Sequence, residues 1–326
     1  MSAARAKNPF EQTLERYIDH QRALGLRFDT QAWVLRRLAK HLRRAGATDL
    51  DAVQFEAWCR AGKACSGSVR RSAALIVLKF CRYRRRFDPG VFVPDSTRFP
   101  RRTPPRQPVI FGPAEVSRML RIADGYRTPT HFPMYVPTMR LAVILLYTAG
   151  LRRGELARLT LADVDLTAGT LRIRESKFHK SRLLPLSASA LSALREYLRV
   201  RLAPPWDIGP AAPLIGHQHA TPTFKPYSDG GMSHLVSRVL HDAKVCDTQG
   251  RAARVHDFRH VFAVQALLRW YRQGADVQSK LPQLSMYMGH VSIVSTAYYL
   301  HFIPDVARMA SRRFGRQFGQ LVGGAL

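Results

Sequence analysis

The apolar positions at the start of the chain follow a helical period. Phe10, Leu14, Tyr17, Ile18 and Leu24 recur along one face and predict an amphipathic helix ended by Gly25, and Val34, Leu35, Leu38 and Leu42 predict a second ended by Gly46. Leu50 to Arg60 fits a short third helix. Ser68 stands where an N-cap belongs, ahead of a fourth helix running through Ala74, Leu75, Leu78 and Phe80 to a basic end of Arg82, Arg84, Arg85 and Arg86. Residues 1–87 are therefore expected to form a small four-helix domain.

The pattern breaks between Asp88 and Pro108. Pro89, Pro94, Pro100, Pro104, Pro105 and Pro108 alternate there with Arg98, Arg101, Arg102 and Arg106. Repeated proline forbids helix and favours extended chain, so residues 88–108 are expected to be a linker.

Residues 109–326 mix two periods. Pro113–Ile122, Thr138–Thr148 and Arg152–Leu159 read as helices, with Gly150 as a left-handed stop between the last two. Thr170–Arg174 and Arg182–Leu186 read as the strands of a short hairpin, and Ser187–Arg199 as a helix. Prolines and weak periodicity make Ala203–Tyr227 a loop, and helices resume near Ser233, Phe258, Pro282 and Thr296. From about residue 304, Val306, Ala310, Phe314, Phe318 and Val322 recur every fourth position, a tail able to pack on its own domain or on a neighbouring protomer. The expected fold is mainly α with a small β-hairpin or sheet, a helical domain followed by a mixed α/β domain.

Composition narrows the function classes. With 326 residues and 46% hydrophobic content, the chain is neither disordered nor collagen-like. Its 51 Lys+Arg against 23 Asp+Glu leave a net charge of +28, shared equally on either side of Val109, and 42 of the basic residues are arginine. Such a surface repels itself unless a polyanion is near, and the guanidinium fork matches phosphate oxygens, so the expected partner is nucleic acid. Cys59, Cys65, Cys81 and Cys246 make no Cys-x-x-Cys pair and lie at no zinc-finger spacing, so neither disulfide nor metal is expected. The longest apolar run, Leu141–Leu151, is shorter than the roughly 18 residues a bilayer span needs. Met1–Gln12 carries charges and a proline where a signal peptide would be apolar, which points to the cytoplasm and away from membranes.

The phosphate-cradling Gly-x-x-x-x-Gly-Lys loop, the dinucleotide Gly-x-Gly-x-x-Gly turn, the His-Glu-x-x-His helix and the Gly-x-Ser-x-Gly elbow are all missing, which sets aside ATP, dinucleotide, zinc-hydrolase and serine-hydrolase chemistry. Four other clusters remain. In Gly150-Leu151-Arg152-Arg153-Gly154-Glu155, Arg152 opens a helix where an anion is favoured, or simply pairs with Glu155 one turn on. Glu175 to Arg182 is a basic hairpin tip, either solvated or aimed at phosphate. His256 and Arg259, three apart at a helix start, can grip one phosphate together. Met288-Gly289-His290 is followed nine residues later by Tyr299, which with Tyr298 also suits an ordinary core.

Taken in order, these clusters resemble the tyrosine recombinase, or phage integrase, family. Its pattern of Arg in a Gly-Leu-Arg-x-x-Glu-Leu segment, Lys on a β-hairpin, His-x-x-Arg, then Leu-Gly-His with Tyr nine residues on is matched by Arg152, Lys177, His256, Arg259, His290 and Tyr299. Met288 replaces the frequent Leu, and the likeness covers about Phe111 to His301. The resemblance implies a core-binding domain followed by a catalytic domain, closing together on double-stranded DNA. Within it, Tyr299 is the nucleophile that forms a 3′-phosphotyrosine, Arg152 and Arg259 hold the phosphate, and Lys177 protonates the leaving oxygen. His256 would assist the tyrosine proton's departure, and His290 would hydrogen-bond the phosphate. It implies no cofactor or metal, a tetrameric synapse on DNA, related recombinases as alternative partners, and a place at the nucleoid. Arg82, Arg84, Arg85, Arg86, Arg101 and Arg102 are the expected DNA-backbone contacts, although basic residues at a helix C-terminus also complement its dipole. Two alternatives stay open, a topoisomerase-like relaxase with the same chemistry and a catalytically silent DNA-binding protein on the same scaffold.

Overall fold

The computed structural model describes residues 8–62, 64–104, 106–129, 132–174, 181–203, 206–218, 224–290 and 292–302. The chain divides into two compact units, Met1–Arg106 and Gln107–Leu326. The hairpin tip with Lys177 and the tail beyond residue 302 lie outside the described residues.

The first unit holds α1 (Pro9–Ala23), α2 (Asp29–Arg44), α3 (Ala52–Ala61) and α4 (Gly67–Arg84). Side chains close three of the helix starts: Asn8 accepts from the Glu11 N–H at 2.8 Å, Asp51 from Gln54 at 2.7 Å and Ser66 from Val69 at 3.4 Å. The predicted apolar faces meet in one core, where Ile18, Leu35, Leu38 and Phe80 are fully buried. The cap of α4 is thus Ser66 and not Ser68, whose hydroxyl instead accepts from the Thr103 N–H at 2.9 Å.

That bond belongs to a second correction. Much of the stretch 88–108 is packed on the first unit: Phe99 is in its core, Phe92 and Val93 lie against it, and Phe55 is 5.9 Å from the Phe99 ring. Proline forbids helix here, but an extended segment can still bury its aromatic side chains.

The second unit begins with α5 (Pro113–Asp124) and α6 (Tyr135–Ala149). Helix α6 is apolar over most of its surface, with Leu141, Ala142, Val143, Leu145 and Leu146 all buried, because helices pack on it from several sides, while Arg140 reaches out to pair with Asp124. After α7 (Arg153–Ala157) come β1 (Val164–Asp165), β2 (Thr170–Ile173) and β3 (Arg182–Pro185), an antiparallel sheet in that order. Leu171 faces Leu184 on its buried side, and Ile173 pairs with Arg182. Next come α8 (Ala188–Arg201), β4 (Gly216–Gln218), β5 (Phe224–Pro226) and α9 (Asp229–Asp242). The β4–β5 ribbon replaces part of the loop expected at 203–227, its strands being too short to show a period in sequence.

Helices α10 (Asp257–Arg272), α11 (Val277–Met288) and α12 (Val294–Ala297) complete the unit, followed by a 3-10 turn over Tyr298–Phe302. Pro282 lies inside α11 and does not start it, since Val277, Leu281, Leu284 and Met288 form a buried stripe that outweighs one lost backbone bond. Among the described residues no helix is long and apolar enough to cross a membrane.

Candidate active site

The site is assembled from three chain reversals, after α6, before α10 and after α11. Gly150 ends α6 in the left-handed conformation, φ 59°, and a Cβ there would stand 2.5 Å from Cδ1 of Phe262, so only glycine makes this turn without strain. Arg152 follows as the N-cap of α7. Its backbone N–H donates to Oε2 of Glu155 at 2.9 Å and its Nη1 to Oε1 at 2.7 Å, so the local pair anticipated from the spacing is present. It does not exhaust the arginine, whose Nη2 donates to the Gly289 carbonyl at 2.7 Å.

Arg259, on the first turn of α10, is 2% exposed. Its Nη1 donates to the Gly150 carbonyl at 2.8 Å and its Nη2 to the Met288 carbonyl, which joins the first and third reversals through one guanidinium. Burial, with Arg152 adding to it, lowers its pKa to about 10, so it remains charged at neutral pH. His256, the N-cap of α10, is exposed, and its ring stands perpendicular to His260 at 4.9 Å. Asp257 beside it is fully buried and accepts from the Arg254 N–H at 2.9 Å.

Gly289 ends α11, again left-handed at φ 65°, and delivers His290. The His290 Nδ1 lies 2.7 Å from the hydroxyl of fully buried Thr296. Tyr299 is 3% exposed, between His290 with ring centroids 6.0 Å apart and His260 at 5.4 Å. Burial raises its phenol pKa while Arg259 and Arg152 pull it down. Burial, then Arg259, Arg152 and Arg182, lowers His290 to about 4; burial, then His256, does the same to His260. Neighbouring groups that crowd out part of its water, then Arg259, also lower His256 although the residue is exposed, so all three imidazoles are mainly neutral at pH 7 in the free protein.

Beneath these groups lies a carboxylate that serves two arginines. Burial alone would raise the Glu155 carboxyl, but the Arg182 fork, with Nη1 at 3.0 Å and Nη2 at 2.9 Å, and the Arg152 contacts hold it at about 2. Guanidiniums, neutral imidazoles and a phenol thus converge in one place with positive charge in excess, a set able to hold an anion.

Comparison with known proteins identifies the family. Residues 113–304 match the phage integrase family. The integrase/recombinase-type protein y4rE of Sinorhizobium fredii is 33% identical over 92% of this chain and 94% of its own. The chain belongs to the phage integrase family of tyrosine recombinases. The tyrosine recombinase XerD of Ralstonia nicotianae is 29% identical over 61% of this chain and 57% of its own length. The fold is that of the Tn1549 transposon integrase solved with transposon right end DNA, at TM-score 0.63 and 16% identity, covering 94% of this chain and 98% of the other.

Five of the six residues that carry the family pattern, Arg152, His256, Arg259, His290 and Tyr299, are described, and the three reversals gather them in the second unit. Arg182, Glu155, His260 and Thr296 join them and were not singled out as site residues from sequence. Glu155 had a signal in its spacing from Arg152, and His260 in its adjacency to Arg259; Arg182 and Thr296 had none, because their partners lie far along the chain. Of the arginines expected on DNA, Arg82, Arg85, Arg86, Arg101 and Arg102 are exposed. Arg84 is a correction: its fork holds Asp49 at 2.7 and 2.6 Å and its guanidinium covers the Phe10 ring at 5.0 Å, which commits it to the fold.

Proposed function

We propose that this protein is a site-specific DNA recombinase that breaks and rejoins double-stranded DNA through a 3′-phosphotyrosine intermediate, without metal or ATP. The gathering of Arg152, Arg259, His290 and the buried Tyr299 carries the reading: the two guanidiniums hold the Gly289 and Met288 carbonyls directly before His290, whose ring lies against that of Tyr299. The Tyr299 oxygen attacks the scissile phosphorus as the bond to the 5′ oxygen breaks. Arg152 and Arg259 stabilise the extra charge of the pentacoordinate phosphorane, the work that metal ions do elsewhere. The tyrosine proton passes to His256, His290 donates to a non-bridging oxygen, and Lys177 supplies the proton for the leaving 5′ hydroxyl. Conserved bond energy in the phosphotyrosine then lets a hydroxyl from a second duplex reverse the step. Self-association on DNA, as a tetramer of identical chains or with related recombinases, brings the two duplexes together at the nucleoid.

Nicked duplexes tiled across the DNA that flanks the gene will trap the adduct. Wild type should form a covalent protein–DNA species in EDTA, and Tyr299→Phe none, whereas Tyr298→Phe should still cleave. Lys177→Ala should cleave ordinary DNA poorly and a 5′-bridging phosphorothioate nearly normally, because a thiolate leaves without a proton. No adduct on any tile would instead support a silent DNA-binding protein. Relaxation of supercoils without strand exchange would support a topoisomerase-like relaxase.

A further inference from the structure

Three successive carbonyl oxygens at the end of α11 each accept from a different arginine. Arg182 Nε donates to Tyr287 at 2.8 Å, Arg259 Nη2 to Met288, and Arg152 Nη2 to Gly289 at 2.7 Å. A helix end leaves these carbonyls without intrahelical partners and gathers the negative end of the dipole there, so three cations fix its position. His290 is the next residue. Two of the three arginines belong to the phosphate clamp proposed above, and the third is not needed by that chemistry.

Arg182 opens β3, directly after the hairpin tip that carries Lys177. Its side chain is 11% exposed and the Glu155 side chain it grips is 1% exposed. One planar guanidinium therefore spans the Tyr287 carbonyl and both Glu155 oxygens, and those same two oxygens hold Arg152 by its N–H and its Nη1. The fit is close: a Cβ on residue 289 would stand 2.8 Å from Arg182 Nη1. We propose that Arg182 is a positioning residue of the recombination reaction, locking α7, β3 and the end of α11 together so that Arg152 and His290 stand correctly around a phosphate that Arg182 does not touch. This rests on the recombinase reading.

Lysine cannot replace it, because a point ammonium cannot reach a carbonyl and two carboxylate oxygens at once in a fixed plane. Removing the fork also leaves Glu155 buried with less to hold its charge, and its carboxyl titrates nearer neutrality. The loss of one of the cations that depress His290 raises that imidazole.

The test compares wild type, Arg182→Gln and Arg182→Lys in single-turnover adduct formation on the flanking-DNA nicked duplexes, with histidine titration by NMR on the DNA-free proteins. Both variants should form adduct about 100-fold more slowly with DNA affinity unchanged. Arg182→Gln should gain an acidic limb in its pH–rate profile, and its His290 should titrate above the wild-type value. Arg182→Lys keeps a cation in the fold and secures the measurement if the Gln variant unfolds. Wild-type rates with an unmoved His290 titration overturn the proposal, as does a loss confined to DNA affinity, which would place Arg182 on phosphate. Failure of wild type to form any Tyr299-dependent adduct overturns the recombinase reading instead, and the DNA-free titration still decides the role of Arg182.

Discussion

Tyr299 stacks on His290, the ring centroids 6.0 Å apart and the planes 23° from parallel, and the Thr296 hydroxyl holds the imidazole edge at Nδ1 at 2.7 Å. With the hydroxyl as donor, the imidazole proton stands on Nε2, the tautomer that can donate to a phosphate oxygen beside the proposed nucleophile Tyr299. Thr296→Val keeps the shape and deletes the hydroxyl. Adduct formation should slow by about 10-fold or more, while Thr296→Ser should stay close to wild type. Equal single-turnover rates for Val and Ser would remove Thr296 from the mechanism.

Gly150 is the second position where local chemistry reaches the site. Alanine there must hold φ near 59° and bring its Cβ within 2.5 Å of Phe262, whereas Gly46, at φ 67°, has nothing within 4 Å. Gly46→Ala should therefore cost about 1 kcal/mol in urea unfolding from backbone strain alone, and Gly150→Ala about 2 to 4 kcal/mol. Cleavage should fail only in Gly150→Ala, because its carbonyl holds Arg259. Equal destabilisation of the two variants would show that Phe262 yields without cost.

The contrast between these glycines and Arg182 explains what could be read from the chain. Gly150 and Gly289 break helical periods just before Arg152 and His290, so the reversals and the residues they deliver are written locally. The apolar stripes of α1, α2 and α5 were legible for the same reason, since burial on one face repeats every turn. Ser66 and Ser68 stand two residues apart with equal capping chemistry, and only the position of Thr103 separates their roles. Phe99 lies among prolines that signal extended chain without saying where its side chains pack. Arg182 reads as one more basic residue on a hairpin because its partners, Glu155 and Tyr287, are 27 and 105 positions away.

The lowered histidines make stability fall with acid. An unfolded imidazole titrates near 6.5, but His260 and His290 in the fold titrate at about 4 and His256 is also lowered. Below about pH 6.5 the unfolded chain takes up protons that the folded site refuses, so stability is complete above that pH and declines toward pH 4. Thermal melts should drop through this window, and the His290→Gln/His260→Gln double variant should flatten the drop. A phosphate at the site favours the protonated rings, so DNA binding should take up protons near pH 5.5, read as a buffer-dependent enthalpy in calorimetry. Melts independent of pH from 7 to 4.5 would show that these rings are not held neutral.

Arg84 and Arg86 separate folding from DNA contact within a single basic run. Arg84 has a side-chain exposure of 10%, pairs with Asp49 through both terminal nitrogens and lies 5.0 Å from the Phe10 centroid and 5.8 Å from Phe80. Arg86 is exposed just past the C-cap of the same helix. Arg84→Ala should lower stability by about 1 to 2 kcal/mol, a value tempered by the half-exposed carboxylate, and leave the salt dependence of DNA binding unchanged. Arg86→Ala should leave stability within about 0.5 kcal/mol of wild type and reduce the slope of log affinity against log salt by about 1, as one released counterion requires. Urea unfolding and binding titrations at several salt concentrations read both effects independently. A reduced slope for Arg84→Ala with full stability would return that arginine to the DNA surface, and an unchanged slope for Arg86→Ala would place the duplex on another face of the first unit.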